Sequence, residues 1–141
     1  MTDRIKYSVS FRIADDNLDP TEITKILGIA PDISHRKGDP RLSITKKGKV
    51  MQYAPFRTGM WSIHSHEEKY EILEHHIKIL LDILYPVKDK IAELASRGYK
   101  MDIFCGAFLY KGCHTGFDIN SDILFQMGEM NIDFGICIYP C

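Results

Sequence analysis

The stretch that decides the fold is LEHHIKILLDILYPVKDKIAELASRGYKMDI, residues 73–103. Together with the residues just before it, this stretch repeats apolar side chains every three or four positions, which is typical of an amphipathic helix. The stripe consists of Tyr70, Leu73, Ile77, Leu80, Leu81 and Leu84, widened by Ile72, His76, Ile79 and Ile83. We therefore predict a long central helix from about Glu67 to Leu84.

A proline follows this helix. Pro86 interrupts helical hydrogen bonding, yet the helical spacing of apolar residues continues from Val87 to Ala95. Gly98 then supplies the residue type that most often ends a helix in the left-handed conformation. A kinked helix and two consecutive helices both fit this pattern.

Alternation of apolar and polar residues predicts strands with one buried side. It is clearest in IKYSVSFRI, residues 5–13, and recurs at 59–65 and 131–139. Residues 99–110 are strongly apolar and are also predicted to form a strand. We expect residues 115–119 to pair with 99–110 as a hairpin, and residues 43–53 to form another hairpin around Lys47 and Gly48.

Two short helices complete the pattern. Asp19 as N-cap, Pro20 in the first turn and Gly28 after the last turn delimit one of them. Asn120 or Ser121 caps the other, so that strand, cap and short helix recur at 5–28 and 115–130. The predicted fold is a single α+β domain over residues 1–141: an antiparallel or mixed sheet, the long helix on one face, and two short helices in pseudo-repeated strand-helix units.

Composition excludes several classes of protein. The chain has 141 residues, and its 18 basic and 19 acidic residues give a formal net charge of -1. A balanced charge gives no general attraction to nucleic acid or to an anionic membrane. The apolar runs are too short to span a bilayer, and the first residues do not resemble a signal peptide. We expect a cytoplasmic protein that binds neither nucleic acid nor membrane.

Cysteine and histidine offer few candidates for chemistry. Cys105, Cys113, Cys137 and Cys141 form no C-x-x-C pair, so we interpret them as structural thiols, and the adjacent pair Cys113 and His114 as unreactive. His64 and His66 share the polar side of the strand at 59–65 and are the only candidate metal ligands. They need a third ligand, from Glu67, His75, His76 or His114, and two solvent-facing histidines at a strand end are the simpler interpretation.

The polar run RKGDP, residues 36–40, is the preferred binding candidate. Gly38 permits a tight turn, around which Arg36, Lys37 and Asp39 could present donors and a carboxylate to a partner or an anion. The alternative is a loop in which Asp39 hydrogen-bonds its own turn. Trp61, next to Ser62, alternates into the apolar side of its strand and is interpreted as a core anchor.

Several of these stretches together resemble a bacterial family catalogued as domain of unknown function 4279. They are DPTEITKILGIAPD, RKGDP, TGMWSIHS, the stretch at 73–103 and GFDINSDILFQMGEMNIDFGICIY. The matching positions are Leu27 and Gly28, Lys37 to Asp39, Trp61 and Ser62, Leu80 and Leu81, and Tyr139. The resemblance implies no activity, and His64 and His66 lie outside its pattern.

No nucleophile turn or other catalytic motif is present, and no cofactor is expected. We therefore favour a non-enzymatic domain that binds a protein partner through Arg36, Lys37, Gly38, Asp39, Trp61 and Ser62, of which an immunity protein that neutralises a toxin is one form. The alternative is a small-ligand or metal-binding protein, which could have weak hydrolytic activity, that uses His64, His66 and the loop from Arg36 to Asp39. Nucleic-acid binding through Lys46, Lys47 and Lys49 is disfavoured by the balanced charge.

Overall fold

The computed structural model describes residues 5–112 and 116–140. The strands are β1 (Lys6–Asp15), β2 (Ile33–His35), β3 (Arg41–Ile44), β4 (Val50–Tyr53), β5 (Gly59–His64), β6 (Lys100–Phe108) and β7 (Asp133–Tyr139). The helices are α1 (Pro20–Leu27), α2 (Leu73–Leu84), α3 (Lys88–Ser96) and α4 (Ser121–Glu129), with a 3₁₀ turn at Tyr85–Val87 between α2 and α3.

Five strands form one mixed sheet in the order β2-β5-β1-β6-β7, and β3 and β4 form a separate hairpin. Within the main sheet only β6 and β7 are parallel. The register places Phe11 opposite both Ile63 and Ile103, and Ile13 opposite both Trp61 and Met101. Because facing residues lie on the same side of a sheet, the alternating apolar residues form one continuous face.

The helices cover that face and leave the other side of the sheet open. Ile23, Ile77, Leu80 and Leu84 of α1 and α2 are fully buried in the same hydrophobic cluster as the inward strand residues. The opposite side of β1 alternates with it and carries exposed Lys6 and Ser8. The predicted α+β architecture with helices on one face is confirmed.

The long helix begins later than predicted. Residues 67–72 are not helical, and α2 starts at Leu73. The carboxylates of Glu67 and Glu68 accept hydrogen bonds from nearby backbone N–H groups of their own segment, and such local bonds compete with a helix. Tyr7 N–H also donates to Lys69 C=O at 2.7 Å, which draws the segment towards β1. The Pro86 region is a kink rather than a break, because α2, the 3₁₀ turn and α3 follow without interruption.

The capping predictions are confirmed. Asp19 accepts a hydrogen bond from Thr21 N–H at the start of α1, and Gly28 ends that helix with φ +70°. Asn120 accepts from Ile123 N–H at the start of α4. The hairpin around Lys47 and Gly48 is also present as β3 and β4.

The predicted hairpin between 99–110 and 115–119 is wrong. Residues 116–119 form no strand, and Thr115 lies outside the described residues. The place beside β6 is taken by β7, which returns through α4 in the parallel direction. Phe117 instead directs its ring to Phe134, at 6.3 Å between centroids. The strand of the second strand-helix unit is therefore β6.

None of the helices in the part of the chain that the structure describes is long and apolar enough to cross a membrane.

Candidate functional site

The loop between β2 and β3 is closed by its own hydrogen bonds. Arg36 N–H donates to Asp39 Oδ2 at 2.8 Å, and Asp39 N–H donates to Arg36 C=O at 3.1 Å. Gly38 adopts φ +87°, a conformation that is strained for residues with a Cβ. The Asp39 carboxylate thus stabilises its own turn, and the loop is preorganised.

The two cations of this loop face the start of α1. Arg36 Nη2 lies 2.8 Å from Asp19 Oδ1, and Lys37 Nζ lies 3.6 Å from Asp16 Oδ2. Both basic side chains are more than half exposed, at 58% and 57%. Exposed ion pairs contribute about 0–1 kcal/mol each, so Arg36 and Lys37 can exchange these acids for an external carboxylate at little cost.

Backbone hydrogen bonds connect the same loop to the segment that follows β4. Gly38 N–H donates to Phe56 C=O at 2.8 Å, and Phe56 N–H donates to Asp39 C=O at 3.2 Å. The rings of His35 and Phe56 stack at 3.5 Å between centroids. Burial in this stack lowers the pKa of His35. These contacts fix the base of the hairpin formed by β3 and β4.

The hairpin itself lies outside the main sheet and is exposed on every strand residue. Ile44 is opposite Val50 and next to Leu42 on one side of the hairpin, and these three side chains are 72%, 59% and 58% exposed. The turn carries Lys46, Lys47 and Lys49. The sequence predicted the hairpin but not this exposure, because alternation over four residues does not show whether either side is covered.

Trp61 and Ser62 lie beneath this region and not on the surface. Trp61 is fully buried, donates from Nε1 to Thr24 Oγ1 at 3.0 Å, and packs edge-on against Phe11. Ser62 is 4% exposed, with Oγ 3.5 Å from Ile33 C=O. The core-anchor interpretation of Trp61 agrees with this position, and any part of these two residues in binding is indirect, through their support of β2.

The two candidate metal-binding histidines converge on Asp32. His64 N–H donates to Asp32 Oδ2 at 2.7 Å, and His66 Nε2 lies 2.8 Å from Oδ1. The hydrogen bond from His64, more than the proximity of His66, lowers the pKa of Asp32. His66 has φ +54° and follows the end of β5, so it does not continue the strand alternation that the sequence suggested.

No cluster of three His, Cys, Asp or Glu side chains within residues 5–112 and 116–140 could hold a metal ion. His114, one of the proposed third ligands, lies outside those ranges. His75 is paired with Glu67 at 2.8 Å. His64 lies four residues along β5 from Met60. Met60 pairs with His35 of β2, the residue just before the loop at 36–39, so His64 is four strand positions from the loop. That spacing is about 13 Å, so the histidines and the loop do not form one site.

The structure also contains a buried serine–histidine pair that the sequence did not predict. Ser65 Oγ and His76 Nδ1 are 2.7 Å apart, and the two residues are 8% and 1% exposed. His76 Nε2 is buried without a hydrogen-bond partner among the described residues, and burial lowers the pKa of His76. A catalytic serine must be open to its substrate, so this pair links the end of β5 to α2 as a structural contact. The helical position of His76 was the only signal in the sequence.

A half-open cavity of about 650 Å³ lies near the start of β1. Its walls combine Tyr70, Ile72 and Phe117 with the carboxylates of Glu71, Glu74 and Asp118. Glu74 is already engaged, because Asn120 donates to it from both its backbone N–H and its side chain at 3.0 and 3.1 Å. The cavity is separate from the loop at 36–39 and shares no residue with it.

The described cysteines agree with structural thiols. Cys105 is fully buried, and this burial raises its pKa to about 12, so the nucleophilic thiolate is absent at neutral pH. Cys137 is partly buried on β7 and forms no disulfide. Cys113 and Cys141, like the pair Cys113 and His114, lie outside the described residues.

Comparison with known proteins identifies the family. No curated protein and no solved structure matches the chain. The family model described as "Domain of unknown function (DUF4279)" matches residues 5–140, nearly the whole chain. The match includes the loop at 36–39, Trp61 and Ser62, and Tyr139, as the resemblance implied. The chain therefore belongs to the DUF4279 family of domains of unknown function.

Proposed function

We propose that this chain is a non-enzymatic domain that binds an acidic protein, and that the contact surface is the hairpin of β3 and β4 with the loop at 36–39. The observation that carries the proposal is the exposure of Ile44, Leu42 and Val50 on one side of the hairpin. An isolated two-stranded hairpin is marginally stable in water. Apolar side chains that cover nothing in their own domain fit a surface that another protein covers.

Covering this side of the hairpin would contribute favourably to binding. Fully burying an aliphatic side chain of this size contributes about 1.5–3 kcal/mol. Three such residues next to one another form the apolar centre of a contact, and the turn and loop provide its polar rim. Tyr53 and Met51 on the other side of the hairpin are exposed as well, at 48% and 37%.

The charge of the hairpin defines the partner's chemistry. Lys46, Lys47 and Lys49 make no ion pair with any residue that the structure describes. Arg36 and Lys37 add two exposed cations at the base, each held by a replaceable surface acid. Clustered free cations attract a complementary acidic surface and accelerate association with it.

The base of the hairpin supports the same proposal. The Asp39 turn, the stack of His35 on Phe56 and the hydrogen bonds of Gly38 and Phe56 hold the hairpin strands in one orientation. A preorganised surface loses less conformational entropy on binding. We also propose that the protein acts in the bacterial cytoplasm. One specific form of this function is that of an immunity protein that neutralises a toxin.

A site-specific cross-linking experiment tests the proposal. A photoreactive amino acid replaces Ile44 in one variant and Ser8, on the open side of the sheet, in a control variant, and both are irradiated in the native host. We expect one protein with an acidic surface to cross-link at position 44 and not at position 8. A triple variant K46E/K47E/K49E should lose that product.

Three results would count against the proposal. Cross-linking at position 8 but not at 44 would move the contact to the sheet, and cross-linking of RNA or DNA at 44 would replace the protein partner by nucleic acid. Stoichiometric Zn²⁺ or Ni²⁺ in protein purified without a histidine tag would favour the alternative of a metal-binding protein.

A further inference from the structure

The two edges of the main sheet differ in their protection. β2 is an edge strand of three residues that runs directly into the loop at 36–39. β7, at the other edge, has seven residues, Asp133–Tyr139, with no Pro, Lys or Arg among them. Short strands, lysines and prolines are the usual means by which an edge avoids pairing with another chain. β7 uses none of them.

The backbone direction along β7 identifies the groups that face outwards. Tyr139 C=O accepts from Leu109 N–H, so Tyr139 points towards β6. Because successive residues point to opposite neighbours in a strand, Phe134, Ile136 and Ile138 direct their N–H and C=O groups away from β6. These groups have no hydrogen-bond partner among residues 5–112 and 116–140.

The sequence of β7 is complementary to itself when two copies run antiparallel. Centred on Ile136, the pairing uses all seven residues and places Ile136 opposite its own copy and Phe134 opposite Ile138. On the other side Gly135 faces Cys137, and the Asp133 carboxylate faces the Tyr139 hydroxyl, an acceptor opposite a donor. No charge meets a like charge, because Asp133 is the only charged residue of the strand.

We propose that β7 is a homodimerisation edge, at which the outward backbone groups of Phe134, Ile136 and Ile138 pair with the same groups of a second copy of this chain in an antiparallel register centred on Ile136. The two sheets then form one sheet of ten strands, since each copy contributes five. This is strand addition with the chain as its own ligand.

The exposed apolar side chain at the end of β7 fits the same contact. Ile138 is 55% exposed. In the pairing, Ile138 is covered by Phe134 of the second copy, so an apolar residue that lies open in one chain becomes part of a continuous inner face. This surface contains no residue of the hairpin at 41–53, and the inference is independent of the proposed function.

A disulfide test reports the register directly. Gly135→Cys is introduced in a background that carries Cys113→Ser and Cys141→Ser, so that Cys137 and buried Cys105 are the remaining native thiols. A Cβ at Gly135 meets Phe104 and Asp102 only at 3.6 and 3.9 Å, ordinary contacts that the fold accommodates. Facing residues without mutual backbone hydrogen bonds are about 4.5 Å apart at Cα, within the range of a disulfide.

We expect G135C to form a reducible dimer with Cys137 of the second copy on mild oxidation. Ser8→Cys in the same background, an exposed thiol on β1, should not do so. Equal cross-linking of S8C and G135C, or no cross-linking of G135C, would overturn the proposed pairing. Equal cross-linking of the background itself would overturn the register.

Light scattering provides a second measurement on the native chain. We expect a mass twice the 16.2 kDa of one chain. Ile138→Lys should raise the dissociation constant of the dimer at least ~10-fold. Ile44→Lys, at a comparably exposed isoleucine of the hairpin, should leave the dimer unchanged. A monomer at about 100 µM, far above the dissociation constants of specific interfaces, or a dimer lost in I44K and kept in I138K, would contradict the proposal.

Discussion

His76 Nδ1 lies 2.7 Å from Ser65 Oγ, while Nε2 of the same ring is buried without a partner among the described residues. Protonation would place a cation in this position, next to the hydrophobic cluster and edge-on to Tyr7 at 6.2 Å. Burial is the main cause of the lowered pKa of His76, and Glu67 and Glu71 oppose it only in part. The fold therefore stabilises the neutral imidazole.

This lowered pKa predicts a loss of stability in acid. The unfolded chain binds a proton near the ordinary histidine pKa of about 6.5, whereas the folded chain binds it only at lower pH. The stabilisation is thus complete above that value and decreases as pH falls through the window between the unfolded and folded pKa. Urea unfolding at pH 7.5, 6.5 and 5.5 measures it.

His76→Gln is the variant that separates this histidine from the others. Gln keeps a polar group near Ser65 but does not titrate, so the unfolding midpoint of H76Q should change less between pH 7.5 and 5.5 than that of the native chain. His35, whose pKa is also lowered by burial, should retain its own share of the pH dependence. An unchanged pH dependence in H76Q would show that His76 is not the group that titrates.

Trp61 offers a test of the contact between β5 and α1. Its Nε1 donates to Thr24 Oγ1 at 3.0 Å in a fully buried position. Thr24→Val removes this bond and leaves the indole N–H unsatisfied, at a cost of about 1–3 kcal/mol. Trp61→Phe also removes indole volume and should cost about 2–4 kcal/mol.

The double variant T24V/W61F should cost less than the sum of the two single variants, because both remove one shared bond. Strictly additive costs would indicate that the bond contributes nothing. Trp61 is the only tryptophan of the chain, so its emission in the native and T24V proteins reports directly on the burial of this position. A red-shifted native emission would contradict the buried position.

Two glycines with empty surroundings allow the effect of backbone conformation to be tested without a change in side-chain packing. A Cβ at Gly38 or at Gly128 meets nothing within 4 Å, but only Gly38 has a positive φ, +87°. Gly38→Ala should therefore destabilise the fold by ~1 kcal/mol, since the left-handed conformation is strained for alanine. Gly128→Ala, inside α4, should stabilise it by ~0.5–1 kcal/mol.

Denaturant unfolding of both variants measures these opposite signs. Amide hydrogen exchange adds a local readout, because weakening of the Asp39 turn should accelerate exchange in β3 and β4 in G38A and not in G128A. Equal effects of the two substitutions would show that the loop does not hold its left-handed turn in solution.

Local chemistry explains which parts of the fold the sequence could predict. The alternation of β1, the Asp19 cap and the Gly28 stop depend on neighbouring residues alone, and each was predicted correctly. The error at 116–119 arises from a long-range contact, the pairing of β7 with β6. At 67–72 the long-range bond from Tyr7 to Lys69 adds to the local bonds of Glu67 and Glu68. A pattern along one segment carries no information about which partner occupies the neighbouring position in a sheet.

The same distinction applies to the candidate sites. The turn chemistry of Gly38 and Asp39 could be proposed from RKGDP, and the buried position of Trp61 from its alternation. The pairing of Arg36 with Asp19, the convergence of His64 and His66 on Asp32, and the contact of Ser65 with His76 all join separate elements. The hairpin is exposed because other elements of the domain do not cover it, and the sequence of the hairpin alone cannot show this.

Two isoleucines in opposite environments test whether the apolar side of the hairpin is uncovered. Ile44 on β3 is 72% exposed, whereas Ile103 on β6 is fully buried between β1 and β7. Ile103→Ala creates a cavity and should cost about 2–5 kcal/mol. Ile44→Ala should change the free energy of unfolding by less than ~0.5 kcal/mol, because the only apolar contacts it weakens are those with its exposed hairpin neighbours Val50 and Leu42. A cost above about 1 kcal/mol for I44A would mean that the hairpin packs against its own domain and that its apolar side is not available to a partner. Near-neutral stability together with loss of the cross-linked partner in the same variant would separate binding from folding, since the side chain would then be needed only when the second protein is present.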